Sequence, residues 1–308
     1  MNKIITVPVL LIGFNRPDVI KQSLDYVRKA KPQKLYVAID GPRINKKGED
    51  LLVAEVRKIV KNIDWECETH YKFSDVNQGA EITVSSAVSW VLENEEYVIV
   101  LEDDIIAPLS FLNFAQEMLL KYANQENVYM ISGGQFSPIE MPNNEDYLFS
   151  NYGHTGCGWA TWKRAWDRFD LNINDFDSLL KDGNINNLVH CKAEKKRWLS
   201  TIKRMKKNGK GNNNWDVCWS YIRFRDQGFS IVPRLNLTSN IGVYGLHSRG
   251  QTSGHFRPFD KDFVAAIHPN EIKQNIEYDI YHFKNHIDRR PNLMKRAFGK
   301  ILRILNLK

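Results

Sequence analysis

Five apolar residues, Tyr97 to Leu101, run directly into three acids, Glu102, Asp103 and Asp104. An unbroken apolar run of this length, bounded by polar residues, suits a parallel strand buried on both faces. The acids then fall at its carboxyl end, where open α/β sheets bind ligands. Three adjacent carboxylates repel one another, and a divalent cation bound there would relieve the repulsion. The plainer reading is a solvated turn, or a cap for the helix expected to start near Pro108.

The residues before this point repeat one pattern. Residues 7–14 form a first apolar strand, and Asn15-Arg16-Pro17 breaks it. Pro17 suits the first turn of a helix reaching Ala30, with Val19, Ile20, Leu24 and Val27 at helical spacing. A second strand at 35–39 ends at Asp40-Gly41-Pro42, and a helix follows over 51–60. A third strand at 66–73 leads through Asn77-Gln78-Gly79 to a helix at 82–92. Three strand–helix units in succession argue for an α/β fold, with a mostly parallel central sheet flanked by helices and right-handed crossovers. Asn15-Arg16, Asp40, Asn77 and the three acids then share one edge of that sheet, where a nucleotide would lie.

Beyond the acids, the pattern predicts a helix over 109–122, a strand at 128–132 and a loop over 133–151. Gly156-Cys157-Gly158-Trp159-Ala160-Thr161-Trp162 sets small residues beside flat aromatics. It reads either as a wall for a sugar or base or as core packing, and Trp166 as core. Residues 192–210 carry nine Lys and Arg side chains, the mark of a solvated helix face. Asp216 stands between Trp215 and Trp219 near the start of another helix, where it is either a first-turn charge or a catalytic base. A strand at 229–233 and a glycine-rich loop with Asn240, Gly242 and His247 follow. Residues 248–258, with Arg249 and Arg257, read as a loop able to close over phosphates.

The chain has 308 residues, 43% of them hydrophobic, enough for one extended α/β domain. Its net charge of +7 favours anionic partners without choosing among them. The four cysteines form no C-x-x-C pair, which disfavours zinc and fits a reduced cytoplasmic interior. The amino-terminal apolar run resembles a secretory signal. Arg16 and Asp18 follow it without a small-residue cleavage site, so the buried-strand reading is preferred. No stretch reaches the ~20 apolar residues of a membrane span. Neither G-x-G-x-x-G nor a P-loop follows the first strand, which disfavours dehydrogenase and P-loop nucleotide folds.

Taken in order, PVLLIGFNRP, VAIDGPR, NQGAEITVSSAVSWVLENEEYVIVLEDDIIAP, GCGWATWKRAW, WDVCWSYIRFRDQGFSIVPRLNLTSNIG and His247 resemble the GT-A fold glycosyltransferases. The nearest pattern is that of bacterial family 2-like enzymes related to the N-acetylglucosaminyltransferase I type. The pieces span most of residues 7–247. The resemblance implies a GT-A nucleotide-diphospho-sugar transferase fold. Residues 1–132 would be its nucleotide-sugar half and 133–290 its acceptor-binding and catalytic half. Asp104 would bind Mn²⁺ or Mg²⁺, with His247 reaching the metal or diphosphate. Glu102 and Asp103 would meet the ribose or donor sugar, or orient the metal's waters. Asn15, Arg16 and Asp40 would frame base and ribose, with Asn77 and Gly79 beside the nucleotide. Asp216 would be the general base. Relatives of this pattern often carry an acid shortly before the late histidine, and here that stretch reads Val243-Tyr244-Gly245-Leu246-His247.

The function so implied is metal-dependent, inverting transfer of a sugar from a nucleotide-diphosphate donor, a UDP-sugar in expectation. The acceptor would be a glycan or lipid-linked acceptor in bacterial surface polysaccharide synthesis. The rival reading is a sugar nucleotidyltransferase, whose G-x-G-T-R segment Gly13-Phe14-Asn15-Arg16 does not match. A nucleic-acid role finds little support, since Trp198 is the only aromatic within the basic run. Residues 291–308 alternate apolar and basic residues at helical spacing, the pattern of an amphipathic helix on an anionic membrane surface. Such a helix would place the enzyme in the cytoplasm, peripheral to the inner face of the membrane.

Overall fold

The computed structural model describes residues 4–181, 189, 191–208, 214–242 and 256–288. Four strand–helix steps open the chain: β1 (Val9–Gly13), α1 (Pro17–Ala30), β2 (Lys34–Ile39), α2 (Glu49–Lys61), β3 (Glu68–Phe73), α3 (Ala80–Leu92), β4 (Tyr97–Glu102) and, after the two-residue β5 (Ile105–Ile106), α4 (Leu109–Lys121). The expected elements are all present, with boundaries moved by at most two residues. Pro17 occupies the first turn of α1, whose missing N–H costs nothing there. Lys31 closes it in the left-handed conformation, and its N–H is donated to the Val27 carbonyl.

β6 (Val128–Ser132), β7 (Tyr147–Ser150), β8 (Trp159–Trp162) and β9 (Phe229–Pro233) complete an eight-stranded sheet of order β3-β2-β1-β4-β8-β6-β9-β7. β3, β2, β1 and β4 are mutually parallel. β8 lies antiparallel between β4 and β6, β9 is parallel to β6, and β7 forms an antiparallel edge. The fold class is therefore the expected one: a mixed, mostly parallel sheet flanked by helices. Residues from both sides of Ser132 contribute strands to the same sheet.

Strand periodicity sorts the core into two layers. Val9, Leu11, Val37, Ile99 and Leu101 pack with Ile20, Leu24 and Val27 of α1, Val53, Val56 and Val60 of α2, and Phe111 and Leu112 of α4. Leu10, Ile12, Ala38, Val98 and Val100 face the other way, toward Val84, Ala87, Val88 and Val91 of α3. Trp215, Cys218, Trp219 and Ile222 of the Trp215–Arg225 helix join this second layer. Full burial of each such aliphatic side chain is worth about 1.5–3 kcal/mol. α3 is covered by the sheet on one side and by this helix on another, which explains its largely apolar composition.

Two readings need correction. Residues 133–151 are not all loop, because they include β7, whose four residues are buried. The tryptophans of the glycine–tryptophan stretch are core and form no wall for a ligand. Trp159 and Trp162 lie in β8, and with Trp166 they are at most 4% exposed. The Trp162 indole N–H is donated to the Leu119 carbonyl at 2.9 Å, and Trp159 stacks on Trp215 with ring centroids 5.6 Å apart. β4 and β6 pair with both edges of β8, while α4 covers the face of Ala160 and Trp162 and the Trp215–Arg225 helix the face of Trp159, which is why these residues are core. No helix among the described residues is long and apolar enough to cross a membrane.

Candidate functional site

β1 and β4 are parallel neighbours, with Ile12 opposite Glu102. Their carboxyl ends therefore deliver Asn15-Arg16 and the acidic triplet to one place. Arg16 donates from Nε to Asp103 Oδ2 at 3.2 Å, from Nη2 to Asp103 Oδ1, and from Nη2 to Asp104 Oδ2 at 3.0 Å. Burial works against the guanidinium's charge, but Asp103 and Asp104 outweigh it, and its pKa lies above the ordinary value. The chain thus supplies one counter-cation to its own acids. Asp103 is 4% exposed, and burial raises its carboxyl even against Arg16. The Ser23 hydroxyl, 2.7 Å from the Asp103 carbonyl, fixes the backbone beneath.

For Glu102 the Arg16 charge gives only partial relief. Burial first, then the charges of Asp104, Asp103 and Asp216, push its carboxyl up to about 8. Asp216, in the first turn of the Trp215–Arg225 helix, is thereby within electrostatic reach of Glu102 across 114 positions of sequence. Asp104 points to the other side of the site. It accepts from Asn240 Nδ2 at 3.0 Å, and the same amide group reaches the Gly156 carbonyl at 3.2 Å. β10 (Ser239–Asn240) pairs antiparallel with β5 and holds Asn240 there. A Cβ on Gly242 would stand 2.3 Å from Asp104 Oδ2. Asn240 and Gly242 are site residues whose roles no local pattern announces, because they meet Asp104 only through the β5–β10 pairing.

The other expected residues form a second group along the edge. Asp40 is 3% exposed and accepts from the backbone N–H groups of Gly41, Gln78 and Gly79 and from Asn77 Nδ2, at 2.7–3.0 Å. It pins the loop that carries Asn77 and Gly79. Gly79, at φ +82°, needs the freedom of glycine to turn that loop into α3. Asn15 donates to Glu49 Oε1 at 2.8 Å, and Glu49 also holds Arg43. Arg43, its nearest and largest influence, holds the Glu49 carboxyl down at about 2. Glu49 and Arg43 escaped the sequence reading because nothing marks them apart from a polar turn. Arg257 donates to the Gln135 carbonyl at 3.0 Å and lies over the Phe136 ring. His247, Arg249 and residues 291–308 lie outside the described residues.

A cavity of about 310 Å³ is lined by Asp216, whose charge is felt at Glu102. Asp216, Gly156, Tyr152, Trp198, Arg197 and Arg223 are among its lining. Gly156 connects this lining to the acids at one remove, since its carbonyl shares the Asn240 amide group with Asp104. Among the described residues, no three His, Cys, Asp or Glu side chains gather to hold a metal by themselves. The donors at hand are hard carboxylate oxygens, though, and Glu102 sits in negative potential that one arginine leaves partly unbalanced. That chemistry fits Mg²⁺ or Mn²⁺, since Mg²⁺ usually takes one or two carboxylates and completes its shell with water and substrate phosphate.

No protein-family model matches the chain, and no curated protein matches it. Among solved structures, S. aureus TarS matches with 12% identity and a TM-score of 0.42, over 75% of this chain and 58% of that one. The chain thus spans little more than half of that structure's length. A 4-diphosphocytidyl-2C-methyl-D-erythritol synthase from Anaerococcus prevotii matches with 13% identity and a TM-score of 0.35, over 58% of this chain and 84% of that one. The mannosyltransferase PcManGT from Pyrobaculum calidifontis, solved with GDP-Man and Mn²⁺, matches with 15% identity and a TM-score of 0.33, over 51% of this chain and 44% of that one. At this level the likeness carries no argument about chemistry, which rests on the residues described above.

Proposed function

We propose that the chain is a metal-dependent, inverting glycosyltransferase that uses a nucleoside-diphosphate sugar. One observation carries the reading: the acidic cluster at the carboxyl end of β4, paired with Arg16 from the end of β1, acts electrostatically on Glu102 together with Asp216, which lines a ligand-sized cavity. The donor nucleotide lies along the sheet edge near the loops of Asn15, Asp40, Asn77 and Gly79. Asp104, with Glu102 beside it, would hold Mn²⁺ or Mg²⁺, which when bound neutralises charge on the departing diphosphate. Arg16 orients Asp103 and Asp104, so both carboxylates meet the donor in fixed positions.

Asp216 accepts the proton of an acceptor hydroxyl held in the cavity. The hydroxyl oxygen forms its bond to the anomeric carbon as the bond from that carbon to the diphosphate oxygen breaks. The nucleoside diphosphate leaves with the electron pair, and the anomeric centre inverts. General base catalysis of this kind contributes about 10²–10⁴-fold. A UDP-sugar is the expected donor, and a glycan or lipid-linked carbohydrate of the bacterial surface is the expected acceptor. A lipid-linked acceptor would bring the enzyme to the inner face of the cytoplasmic membrane, with residues 291–308 as its contact there.

Thermal unfolding with a panel of sugar nucleotides, each with and without Mn²⁺, tests the reading. A donor at about 100 times its Kd stabilises by about 2.7 kcal/mol. Stabilisation by one nucleoside-diphosphate sugar only when Mn²⁺ is present, followed by transfer of its sugar, is the expected result. Stabilisation by nucleoside triphosphates with sugar phosphates instead would replace this reading with nucleotidyl transfer.

A further inference from the structure

The cavity beside Asp216 has a chemical bias of its own. Arg223 lines it from the Trp215–Arg225 helix and is only 2% exposed. Its Nη1 donates to the Ser230 hydroxyl and, at 3.4 Å, to the Asn151 carbonyl, while its Nε has no hydrogen-bond partner among the described residues. An arginine buried with an unmet donor is costly and asks for a reason. Burial pulls its pKa down to about 10, so it remains charged at neutral pH, and the nearby Asp279 opposes that fall. The Asp279 carboxylate is already engaged by the Ser150 hydroxyl, the Asn151 N–H and Gln274 Nε2. A second guanidinium, Arg197, lines the same cavity from the Lys192–Asn208 helix. Beside it Trp198, stacked on Phe224 with centroids 4.9 Å apart, offers the kind of flat apolar surface on which a sugar ring rests.

These groups divide the cavity by function. Asp216 is acidic, and its charge is felt at Glu102. Arg197 and Arg223 are cationic, and guanidiniums suit planar, two-pronged recognition of carboxylate or phosphate. A volume of about 310 Å³ falls at the small end of ligand cavities, about 300–1,000 Å³, and suits a single sugar unit better than an extended chain. We infer that the acceptor is a sugar bearing a phosphate or carboxylate, which Arg223 and Arg197 receive while the attacking hydroxyl faces Asp216. The inference rests on the glycosyl-transfer reading for its second half only; the preference for an anionic sugar stands on the cavity.

The test is a set of titrations of the full chain, without nucleotide, with glucose, glucose 6-phosphate, glucuronate and inorganic phosphate. At least one anionic sugar should bind at least about tenfold more tightly than glucose and than inorganic phosphate, a difference of about 1.4 kcal/mol. Which one does so separates a phosphate-bearing acceptor from a carboxylate-bearing one. Arg197→Gln should erase most of that preference while the unfolding temperature holds. Arg223→Gln should do the same, and the exposed position of Arg197 keeps the test decisive if Arg223→Gln fails to fold. Glucose binding as well as the anionic sugars, inorganic phosphate binding as well as glucose 6-phosphate, no binding by any of the four, or a preference that survives Arg197→Gln would each overturn the inference. A parallel titration with UDP and Mn²⁺ keeps the two readings apart. Lost diphosphate binding with an intact anionic preference sinks the transferase reading alone, and the reverse sinks only the acceptor.

Discussion

Arg16 holds Asp103 by two nitrogens, Nε to Oδ2 at 3.2 Å and Nη2 to Oδ1. The two residues come from the ends of adjacent parallel strands, so this pair locks β1 to β4 at the edge where the site lies. Removing the guanidinium would strand a carboxylate that is 4% exposed. Arg16→Met should therefore cost about 3 kcal/mol of stability, the lower range for breaking a buried pair. Denaturant unfolding measures it. Arg16→Lys should recover little, since an ammonium cannot make the two-pronged contact. The double variant Arg16→Met/Asp103→Asn should recover most of the loss, because it removes both charges together.

Gly242→Ala tests the floor of the site. The added Cβ would crowd Asp104 Oδ2, the end of a side chain that can swing away, so stability should change by less than about 1 kcal/mol. The displaced oxygen is the proposed metal ligand, so the apparent Mn²⁺ affinity in the presence of donor should fall at least about tenfold. A folded variant with unchanged Mn²⁺ dependence would separate Asp104 from the metal.

Asp216→Asn keeps the shape of the side chain but cannot take a proton. Turnover should fall by about 10²–10⁴-fold while donor affinity stays within about twofold. If donor affinity collapses with the rate, Asp216 binds or supports rather than accepts the proton.

His282 sets an acid limit on stability. Burial first, then the nearby His286 and Arg223 charges, hold its imidazole down at about 3. The unfolded chain takes up the proton near pH 6.5, whereas the native state refuses it until near pH 3. Stability contributed by the neutral form is complete above pH 6.5 and is lost as the pH falls below it, by about 2 kcal/mol at pH 5. His282→Phe keeps the stacking on Tyr152 and should flatten the decline between pH 6.5 and 5 in denaturant midpoints. An unchanged slope would assign that acid sensitivity to other groups.

The first half of the fold was legible because β1, β2 and β4 are short apolar runs closed by polar turns, and the edge strand β3, ETHYKF, stands between two helices where the alternation requires a strand. Pro17 and Gly79 sit where helix entries need them, and Glu102 to Asp104 end β4 as expected. The second half showed β9 at its expected place but hid β7 and β8 for a physical reason. β7 and β8 are four residues long and buried on both faces, so neither alternation nor length distinguishes them from loop. The site divides in the same way. Arg16, Asp103 and Asp104 could be placed on one edge by strand order alone. Asn240 meets Asp104 across 136 positions and Glu49 meets Asn15 across 34, contacts that depend on tertiary pairing and leave no local pattern. The basic character of residues 192–208 reads as a solvated face, yet Arg197 turns out to line a cavity.

Calorimetric titration of a nucleoside diphosphate into the wild-type chain and into Asp104→Ala, each with and without Mn²⁺, tests the central claim most directly. The diphosphate should bind the wild-type protein at least about tenfold more tightly with Mn²⁺ than without, a gain of about 1.4 kcal/mol, and Asp104→Ala should abolish that gain while remaining folded. A diphosphate that binds equally well without metal, or an Asp104→Ala protein that keeps the full Mn²⁺ effect, would contradict the account.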